Sequence, residues 1–249
     1  MRLVLTRPEP DASRTARALK ALGHSVILSP ALTIRPAQNL RLPVRPFQAV
    51  LLTSGNAVRA LAGRADADRL RSLPTFTVGD QTAVEAKRAG FAAPRSAGGS
   101  AEDLIALVAD ALDPRAGPLF YAAGQEVSVD LAGRLGEFGF DVESRVLYHA
   151  EAERRLAPDA VEALKAGTVD GILLYSRRSA SAFALAARAD RLAPLSASVA
   201  CYCLSDAVAE PLRPIAEGPI RIAACPDQPS LFALVEADEK RGGTPAHPG

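Results

Sequence analysis

Small polar residues follow an apolar run in the first third of the chain. Residues 49–52 are wholly apolar, which predicts a parallel strand that is buried on both faces. Thr53, Ser54 and Asn56 follow at once, where hydroxyl and amide groups cap a helix or leave backbone N–H groups open to an anion. In open α/β sheets, ligands bind at the carboxyl ends of the strands. The stretch therefore predicts either an anion-binding turn or an ordinary capped turn.

The same order of residue types returns later in the chain. Residues 170–183 place an apolar strand before Ser176, Arg177 and Ser179. A second stretch, 77–90, which contains Gly79 and Thr82, is echoed by residues 203–218 around Ser205. Two echoes at similar separations predict two domains of one kind that face each other, although βα units resemble one another in any case.

The composition limits the number of domains and the kind of partner. The chain has 249 residues, of which 48% are hydrophobic, so it can form one large domain or two small ones. Its 29 basic and 28 acidic residues give a net charge of +1, which does not suit a protein that binds nucleic acid. We expect no nucleic-acid partner, while local basic loops remain suited to a small acidic ligand.

Metal-binding and targeting patterns are missing from the sequence. Cysteines and histidines stand at Cys201, Cys203, Cys225, His24, His149 and His247. Neither set has the spacing of a zinc site, so we expect no metal, no cofactor, and three buried thiols in a reducing compartment. The start of the chain lacks the pattern of an export signal, and no apolar run is long enough to span a bilayer. We expect a cytoplasmic protein with no membrane partner.

Strand and helix patterns alternate along most of the chain, which predicts an α/β fold with parallel sheets. Residues 47–148 contain four or five strand–helix units, but the last third contains only three strands, and the first thirty residues supply two more. One domain therefore reads as inserted into the other. The predicted segments are a discontinuous domain 1 at 1–30 and 150–238, domain 2 at 38–140, linker strands at 31–37 and 141–149, and a disordered tail at 239–249.

Local signals add three expectations. Ser100 and Asp103 have the spacing of a capping box, with Asp in place of Glu. Residues 206–217 are predicted to form one helix. Val142, Val146 and Tyr148 alternate along an extended segment and are expected to pair with residues 32–34 as a two-stranded ribbon.

Several short motifs, in this order, resemble those of the uroporphyrinogen-III synthases, the cyclases of tetrapyrrole synthesis. They are Leu5-Thr6-Arg7-Pro8, Thr53-Ser54 with Asn56-Ala57-Val58, Val78-Gly79 with Thr82-Ala83 and Gly90, Val146-Leu147-Tyr148, Leu174-Tyr175-Ser176, and residues 225–235. The chain departs from the family in two places. Ser205-Asp206-Ala207-Val208-Ala209 stands where a second Gly-x-x-Thr-Ala turn is expected, and Gln125, Glu126 and Val127 stand where a basic residue is often found.

The resemblance implies two similar flavodoxin-like, parallel-sheet domains joined by a two-stranded linker, with a cleft between them. It also implies a small-molecule substrate, hydroxymethylbilane, which carries acetate and propionate arms on every ring. The reaction expels the terminal hydroxyl as water, and the last pyrrole attacks through its substituted carbon, so that its ring closes inverted through a spiro intermediate. Because closure without inversion occurs in solution, the enzyme must steer the ring, and positioning should dominate over acid–base catalysis.

The resemblance also assigns roles to residues. Tyr148 is the candidate for assisting departure of the hydroxyl, with packing in the ribbon as its alternative role. The candidates for holding substrate carboxylates are Arg7, Thr53, Ser54, Asn56, Gly79, Thr82, Gly124, Ser176, Arg177, Ser179 and Ser205. For the hydroxyl residues the alternative is helix capping, and for Arg177 it is a solvated helix start. We expect a monomer.

Two other classes of function stay open at this point. One is a two-domain binding protein or sensor that holds a carboxylate-rich ligand without turnover. The other is a homologue that has lost catalysis, as the departure at residues 205–208 allows. An assay with hydroxymethylbilane separates an enzyme from a binding protein.

Overall fold

The chain was analysed as a computed structural model, which describes residues 1–126 and 129–242. It divides into two compact units. Unit 1 comprises Met1–Thr33 and the residues from Glu151 onward, and unit 2 is Ile34–Ala150. The chain passes into unit 2 and back again within two extended strands.

The elements alternate as the sequence pattern predicts. The strands are β1 Arg2–Leu5, β2 Ser25–Leu28, β3 Leu32–Pro36, β4 Ala49–Leu52, β5 Thr75–Thr77, β6 Arg95–Ser96, β7 Leu119–Gly124, β8 Val142–Ala152, β9 Gly171–Leu174, β10 Ala200–Cys203 and β11 Ile220–Ile222. The α-helices are α1 Asp11–Ala21, α2 Gly55–Ala62, α3 Asp68–Arg71, α4 Asp80–Arg88, α5 Ala101–Ala111, α6 Leu131–Glu137, α7 Pro158–Lys165, α8 Arg177–Ala189, α9 Asp206–Ala209 and α10 Gln228–Gly242. Short 3₁₀ turns lie at Pro114–Ala116 and Glu210–Leu212.

Unit 1 contains a five-stranded sheet in the order β11-β10-β9-β1-β2, with every neighbouring pair parallel. Counted within the unit, this is the order 2-1-3-4-5 of flavodoxin-like folds. The central strands are apolar on both faces and fully buried, since helices cover both sides of a parallel sheet. Their carboxyl ends all meet at one edge, which carries the residues after β1, β9 and β10.

Unit 2 contains a six-stranded sheet in the order β3-β8-β7-β4-β5-β6, in which β4 to β8 run parallel. The parallel part has the order 3-2-1-4-5 within the unit, as in Rossmann-type folds. The two-domain α/β fold is confirmed, but the flavodoxin-like strand order holds for unit 1 alone. Repeated strand–helix patterns reveal the units of a sheet and carry no information on which strands become neighbours.

Strand β8 belongs to two pairings. Its residues from Val142 to Tyr148 pair in parallel with β7, so the segment predicted as a linker strand is also part of the unit 2 sheet. The ribbon register predicted from alternation was wrong. The N–H of Ala37 donates to the carbonyl of Leu147 in unit 2, and the N–H of Glu153 donates to that of Ala31 in unit 1. These two bonds place residues 32–34 opposite the end of β8, while β7 pairs with the other edge of β8.

Two further expectations concern local structure. The capping box is confirmed, because Ser100 Oγ accepts from the N–H of Asp103 and the Asp103 carboxylate accepts from the N–H of Ser100. The single helix predicted over 206–217 is wrong: α9 ends at Ala209, and a 3₁₀ turn that contains Pro211 follows. Proline has no N–H to continue an α-helix and stops its hydrogen-bond ladder.

The predicted disordered tail is wrong for residues 239–242, which belong to α10. The polar residues at the end of that helix have partners: Asp238 Oδ2 accepts from Arg221 Nε at 3.0 Å, and Glu239 Oε1 lies 3.1 Å from the amino terminus of Met1. Residues 243–249 lie outside the described part of the chain. Cys201 and Cys203 are buried as predicted, but Cys225 is exposed because it lies in the loop between β11 and α10.

Candidate active site

The turn after β4 lies at the point of the unit 2 sheet where the strand order reverses, between β4 and β7. Ser54 has extended backbone angles and caps α2, because its Oγ accepts a hydrogen bond of 3.2 Å from the N–H of Ala57. In open α/β sheets this reversal creates a crevice at the carboxyl ends of the two strands. Thr53 and Ser54 are therefore at the expected position for binding a ligand.

Tyr148 reaches the same turn from β8. Its Oη lies 3.0 Å from Ser54 Oγ, within hydrogen-bond distance. A register shift between Ala123 and Gly124 places Gly124 opposite Tyr148, and the N–H of Gln125 donates to the Tyr148 carbonyl at 3.0 Å. A Cβ atom on Gly124 would lie only 2.7 Å from Tyr148 Cζ. Gly124 thus makes room for the tyrosine ring. The sequence suggests Gly124 only as a residue that binds substrate carboxylates.

A pocket of about 280 Å³ opens beside these residues within unit 2. Its lining includes Thr53, Tyr121, Gly124 and Tyr148. Tyr121, on β7, was not among the candidates from the sequence, and its Oη lies 3.4 Å from Thr53 Oγ1. Burial raises the pKa of Tyr121, a hydrogen bond from Thr53 lowers it, and nearby Tyr148 raises it further. Two tyrosines thus line one pocket, and the hydroxyl of each lies beside a hydroxyl of the β4 turn.

Asn56 takes part in a network that holds the start of α2. Its Oδ1 accepts a hydrogen bond of 2.5 Å from Arg59, and Arg59 also forms an ion pair with Glu85 of α4. A Cβ on Gly55 would overlap the Glu85 carboxylate, so glycine lets α2 and α4 approach closely. Asn56 therefore holds the arginine whose ion pair with Glu85 joins α2 to α4.

Gly79 and Thr82 lie at the start of α4, at the neighbouring strand end. Gly79 is the N-cap residue, with extended backbone angles, and its carbonyl accepts from Thr77 Oγ1 at 3.3 Å. Thr82 lies in the first turn and is half-buried. Both are at the carboxyl edge of the sheet, where the N–H groups of a helix start are directed outward.

The unit 1 candidates lie after β1, β9 and β10, at the carboxyl edge of the other sheet. Of these residues, Arg7 contacts several other side chains. Its guanidinium lies 4.4 Å above the centre of the Tyr175 ring and donates to Thr15 Oγ1 and Gln228 Oε1 at 3.3 Å each. Burial raises the pKa of Tyr175 to about 12, against an opposing effect of the Arg7 charge. Arg7 therefore joins the ends of β1 and β9, the two strands at which the order of this sheet reverses.

A serine is the N-cap residue of the helix after β9 and of the helix after β10. Ser176 Oγ accepts from the N–H of Ser179 at 3.1 Å and lies 2.8 Å from Ser179 Oγ. Arg177 is exposed and forms an ion pair of 3.0 Å with Glu210. Ser205 is the N-cap residue of α9, and within the described residues its side chain makes no capping hydrogen bond. The capping alternative thus describes Ser176 in this structure and does not describe Ser205.

Among the described residues, no group of three or more His, Cys, Asp or Glu side chains is arranged to hold a metal ion. In the same part of the chain, no helix combines the length and the apolar character needed to cross a membrane.

Comparisons with known proteins identify the family. The model of the family described as uroporphyrinogen-III synthase HemD matches residues 13–236. The chain belongs to the uroporphyrinogen-III synthase HemD family. No match was found among curated protein sequences.

Two solved structures show the same fold. A uroporphyrinogen-III synthetase from Helicobacter pylori is 18% identical, with a TM-score of 0.64, over 95% of this chain and 99% of the other. A mutant uroporphyrinogen III synthase from the extremely thermophilic bacterium Thermus thermophilus is 18% identical, with a TM-score of 0.52, over 96% of this chain and 98% of the other. At this identity the likeness concerns the fold, and the family match carries the function.

Membership of the uroporphyrinogen-III synthase family confirms the resemblance inferred from the short motifs. It supports a lyase-type cyclase with a small-molecule tetrapyrrole substrate. It does not favour a non-catalytic binding protein. The roles of individual residues do not follow from membership and rest on the geometry described above.

Proposed function

We propose that the protein cyclises hydroxymethylbilane, with inversion of the terminal pyrrole ring and loss of water, and that the Tyr148 hydroxyl assists departure of the leaving group. One observation supports the role of Tyr148 above all. Its Oη lies 3.0 Å from Ser54 Oγ, at the wall of the unit 2 pocket and at the reversal point of the sheet. The tyrosine is therefore held in one orientation, as a placed proton donor must be.

The first step breaks the C–O bond of the hydroxymethyl group. The bonding electrons leave with the oxygen, which takes a proton from Tyr148 Oη and departs as water. The lone pair of the pyrrole nitrogen forms the new double bond and gives an azafulvene that keeps its N–H proton and carries a positive charge, opposite the tyrosinate. The substituted carbon of the last pyrrole then attacks, a spiro intermediate forms and rearranges, and the proton finally lost from the product returns to the tyrosinate.

The contribution of Tyr148 is modest because of the chemistry of the leaving group. An electron-rich pyrrole expels a hydroxyl readily, because its nitrogen supplies the electrons. One donated hydrogen bond contributes roughly 1–3 kcal/mol, about a ten- to hundredfold change in rate. Most of the demand on the enzyme is therefore orientation of the terminal ring, which requires many contacts rather than one strong acid.

The remaining candidates are proposed to hold the carboxylate arms. In unit 2 this is the start of α4 at Gly79 and Thr82, where helix N–H groups suit anions. Thr53 and Ser54 instead contact the two tyrosine hydroxyls. In unit 1 they are Arg7 and the turns that carry the unit 1 serines Ser176, Ser179 and Ser205 together with Arg177. Arg7 donates through two long hydrogen bonds of 3.3 Å and lies 3.5 Å from the Asp11 carboxylate, so a substrate carboxylate would exchange with these partners.

We also propose that the enzyme acts as a monomer and has no nucleic-acid partner. The net charge of +1 supports the second point, since binding to a polyanion draws on an excess of basic residues. Sedimentation at several protein concentrations tests the first point.

The deciding experiment supplies hydroxymethylbilane to the purified protein and separates the isomers of the cyclic product. We expect the inverted isomer to form faster than the non-inverted isomer forms in a protein-free control. A product consisting only of the non-inverted isomer, formed at the control rate, would contradict the proposed function and leave a binding protein or an inactive homologue.

A further inference from the structure

Tyr121 is a polar group that the proposed reaction does not yet use. It lies on β7, its residue is only 5% exposed, and its ring packs in the apolar cluster between the sheet, α5 and α6. Tyr121 nevertheless contributes to the lining of the pocket, and its hydroxyl lies 3.4 Å from Thr53 Oγ1. A buried ring with a hydroxyl at a pocket wall is a common arrangement for a group that orients a ligand.

Thr53 and Ser54 give the pocket a paired construction. Thr53 contacts the hydroxyl of Tyr121, and Ser54 contacts the hydroxyl of Tyr148. Two consecutive residues of one turn thus orient two tyrosines from neighbouring strands toward the same space. Both tyrosines therefore line one pocket, and each hydroxyl lies beside a hydroxyl of the same turn.

The rest of the lining limits what can enter. Val78, Val129 and Leu131 are apolar, and the acidic residues Glu102 and Glu126 also line the pocket. Carboxylates disfavour the anionic acetate and propionate arms of a substrate, because like charges repel at short range. The volume of about 280 Å³ is near the lower end for small-molecule sites and suits one ring rather than four. The lining therefore favours the uncharged edge of a single pyrrole ring.

We propose that Tyr121 is a further substrate-contacting residue, whose hydroxyl binds the uncharged hydroxymethyl edge of one pyrrole ring in the unit 2 pocket, beside Tyr148. This inference rests on the proposed function and assigns the pocket within it. Tyr148 donates the proton to the departing oxygen, and Tyr121 supplies a second hydrogen bond to that oxygen. Burial raises the pKa of Tyr121, which keeps its hydroxyl protonated and able to donate at neutral pH.

Kinetics of Tyr121→Phe provide the first test. The variant keeps the ring that packs in the core and removes only the hydroxyl. If the lost contact strengthens as the C–O bond breaks, the variant should have a kcat about tenfold lower and a nearly unchanged KM. Tyr202→Phe is the matched control, because Tyr202 is a buried tyrosine of unit 1 whose hydroxyl bonds Asp238 at 3.3 Å. It should leave both constants unchanged.

A double variant tests the link between Tyr121 and Thr53. If Thr53 acts by orienting Tyr121, then Tyr121→Phe combined with Thr53→Val should lower kcat no more than the larger single loss. If the Tyr121 hydroxyl acts only in the structure, through its contact with Thr53, Tyr121→Phe would lower the melting temperature and leave kcat unchanged, and that result would contradict the inference.

Direct observation of the tyrosines separates this inference from the proposed function. The chain contains four tyrosines, so labelling of the tyrosine ring carbon Cζ gives four signals that Tyr→Phe variants assign. We expect 2-hydroxymethylpyrrole to shift the signals of Tyr121 and Tyr148 and to leave those of Tyr175 and Tyr202 in place. The control probe, 2-methylpyrrole, lacks only the hydroxyl and should shift the Tyr121 signal far less.

The outcomes are distinct. A cyclase whose Tyr121 signal does not move, or moves equally with both probes, would overturn the inference and leave the proposed function standing. Selective shifts of Tyr121 and Tyr148 in a protein without cyclase activity would support the pocket assignment and overturn the proposed function.

Discussion

The hydroxyl oxygens of Ser54 and Tyr148 lie 3.0 Å apart, although 94 positions separate the two residues in the chain. Their strands are not neighbours, because β7 lies between β4 and β8. Two strand spacings amount to about 10 Å, so the tyrosine side chain must extend across the end of β7 to reach Ser54. It does so at Gly124, where the lack of a Cβ leaves room for its ring.

Gly124→Ala should therefore disable Tyr148 while the fold remains intact. The added Cβ would lie 2.7 Å from Tyr148 Cζ and 2.8 Å from Tyr148 Oη, so the end of the side chain must move away from Ser54. We expect turnover to fall at least as far as it does in Tyr148→Phe, by about ten- to hundredfold, with little change in melting temperature. Turnover and thermal unfolding of the same preparation check this.

Gly136→Ala is the matched control for that variant. Gly136 lies in α6, and a Cβ there meets no atom of the described residues within 4 Å. Alanine is the better helix former by up to about 1 kcal/mol, so the control should be neutral or slightly stabilising and keep full turnover. Wild-type turnover in Gly124→Ala would show that the tyrosine need not touch Ser54.

Ser176→Ala should destabilise the protein more than Ser205→Ala. Both serines are N-cap residues, but only Ser176 accepts a hydrogen bond from a backbone N–H among the described contacts. Loss of a capping side chain costs about 1 kcal/mol, which lowers the melting temperature by roughly 2–4 °C in a chain of this size. Equal losses in calorimetry would show that Ser205 also acts as a side-chain cap.

Stability should fall steeply in alkali. Burial raises the pKa of Cys201 and Cys203 to about 12 from an ordinary value of 9, with a further increase at Cys203 from nearby Cys201. Burial likewise raises the pKa of Tyr175 to about 12 from 10. The folded state thus holds these protons more tightly than the unfolded state, so the stabilisation is complete below pH 9 and is lost as the pH rises toward 12.

Urea unfolding at a series of pH values between 8 and roughly 12 measures this loss. Tyr175→Phe should flatten the decline above pH 10, and Cys201→Ala should flatten it from pH 9. Cys225→Ala removes an exposed thiol and is the control, which should follow the wild-type profile. A wild-type free energy of unfolding that stays constant across this range would contradict the prediction.

The sequence predicts the local parts of the fold well. Continuous apolar runs identify β4 and β9, and the capping box at Ser100 and Asp103 is present. Strand neighbours are different, since they depend on contacts between distant segments that no local pattern records. The order 3-2-1-4-5 of unit 2 and the double pairing of β8 escape prediction for that reason.

The site shows the same division. The residue types around Thr53 and Ser54 reveal a turn at a strand end, and the family motifs reveal Tyr148. Nothing local indicates that Gly124 lies under the Tyr148 ring, because the register shift at Ala123 creates that contact. Tyr121 was missed because it reads as one more apolar strand residue. One sequence feature could have indicated Tyr121: it lies three residues before Gly124, the glycine at the carboxyl end of β7.

Turnover of Tyr148→Phe with hydroxymethylbilane, measured together with the isomer ratio of the product, tests the central claim most directly. The variant removes one hydroxyl and keeps the ring over Gly124. We predict that turnover falls about ten- to hundredfold, by more than in Ser54→Ala or Thr82→Ala, while the inverted isomer remains the enzymatic product. An unchanged rate with an unchanged isomer ratio would contradict the claim, leaving positioning alone to carry the reaction and Tyr148 as a packing residue.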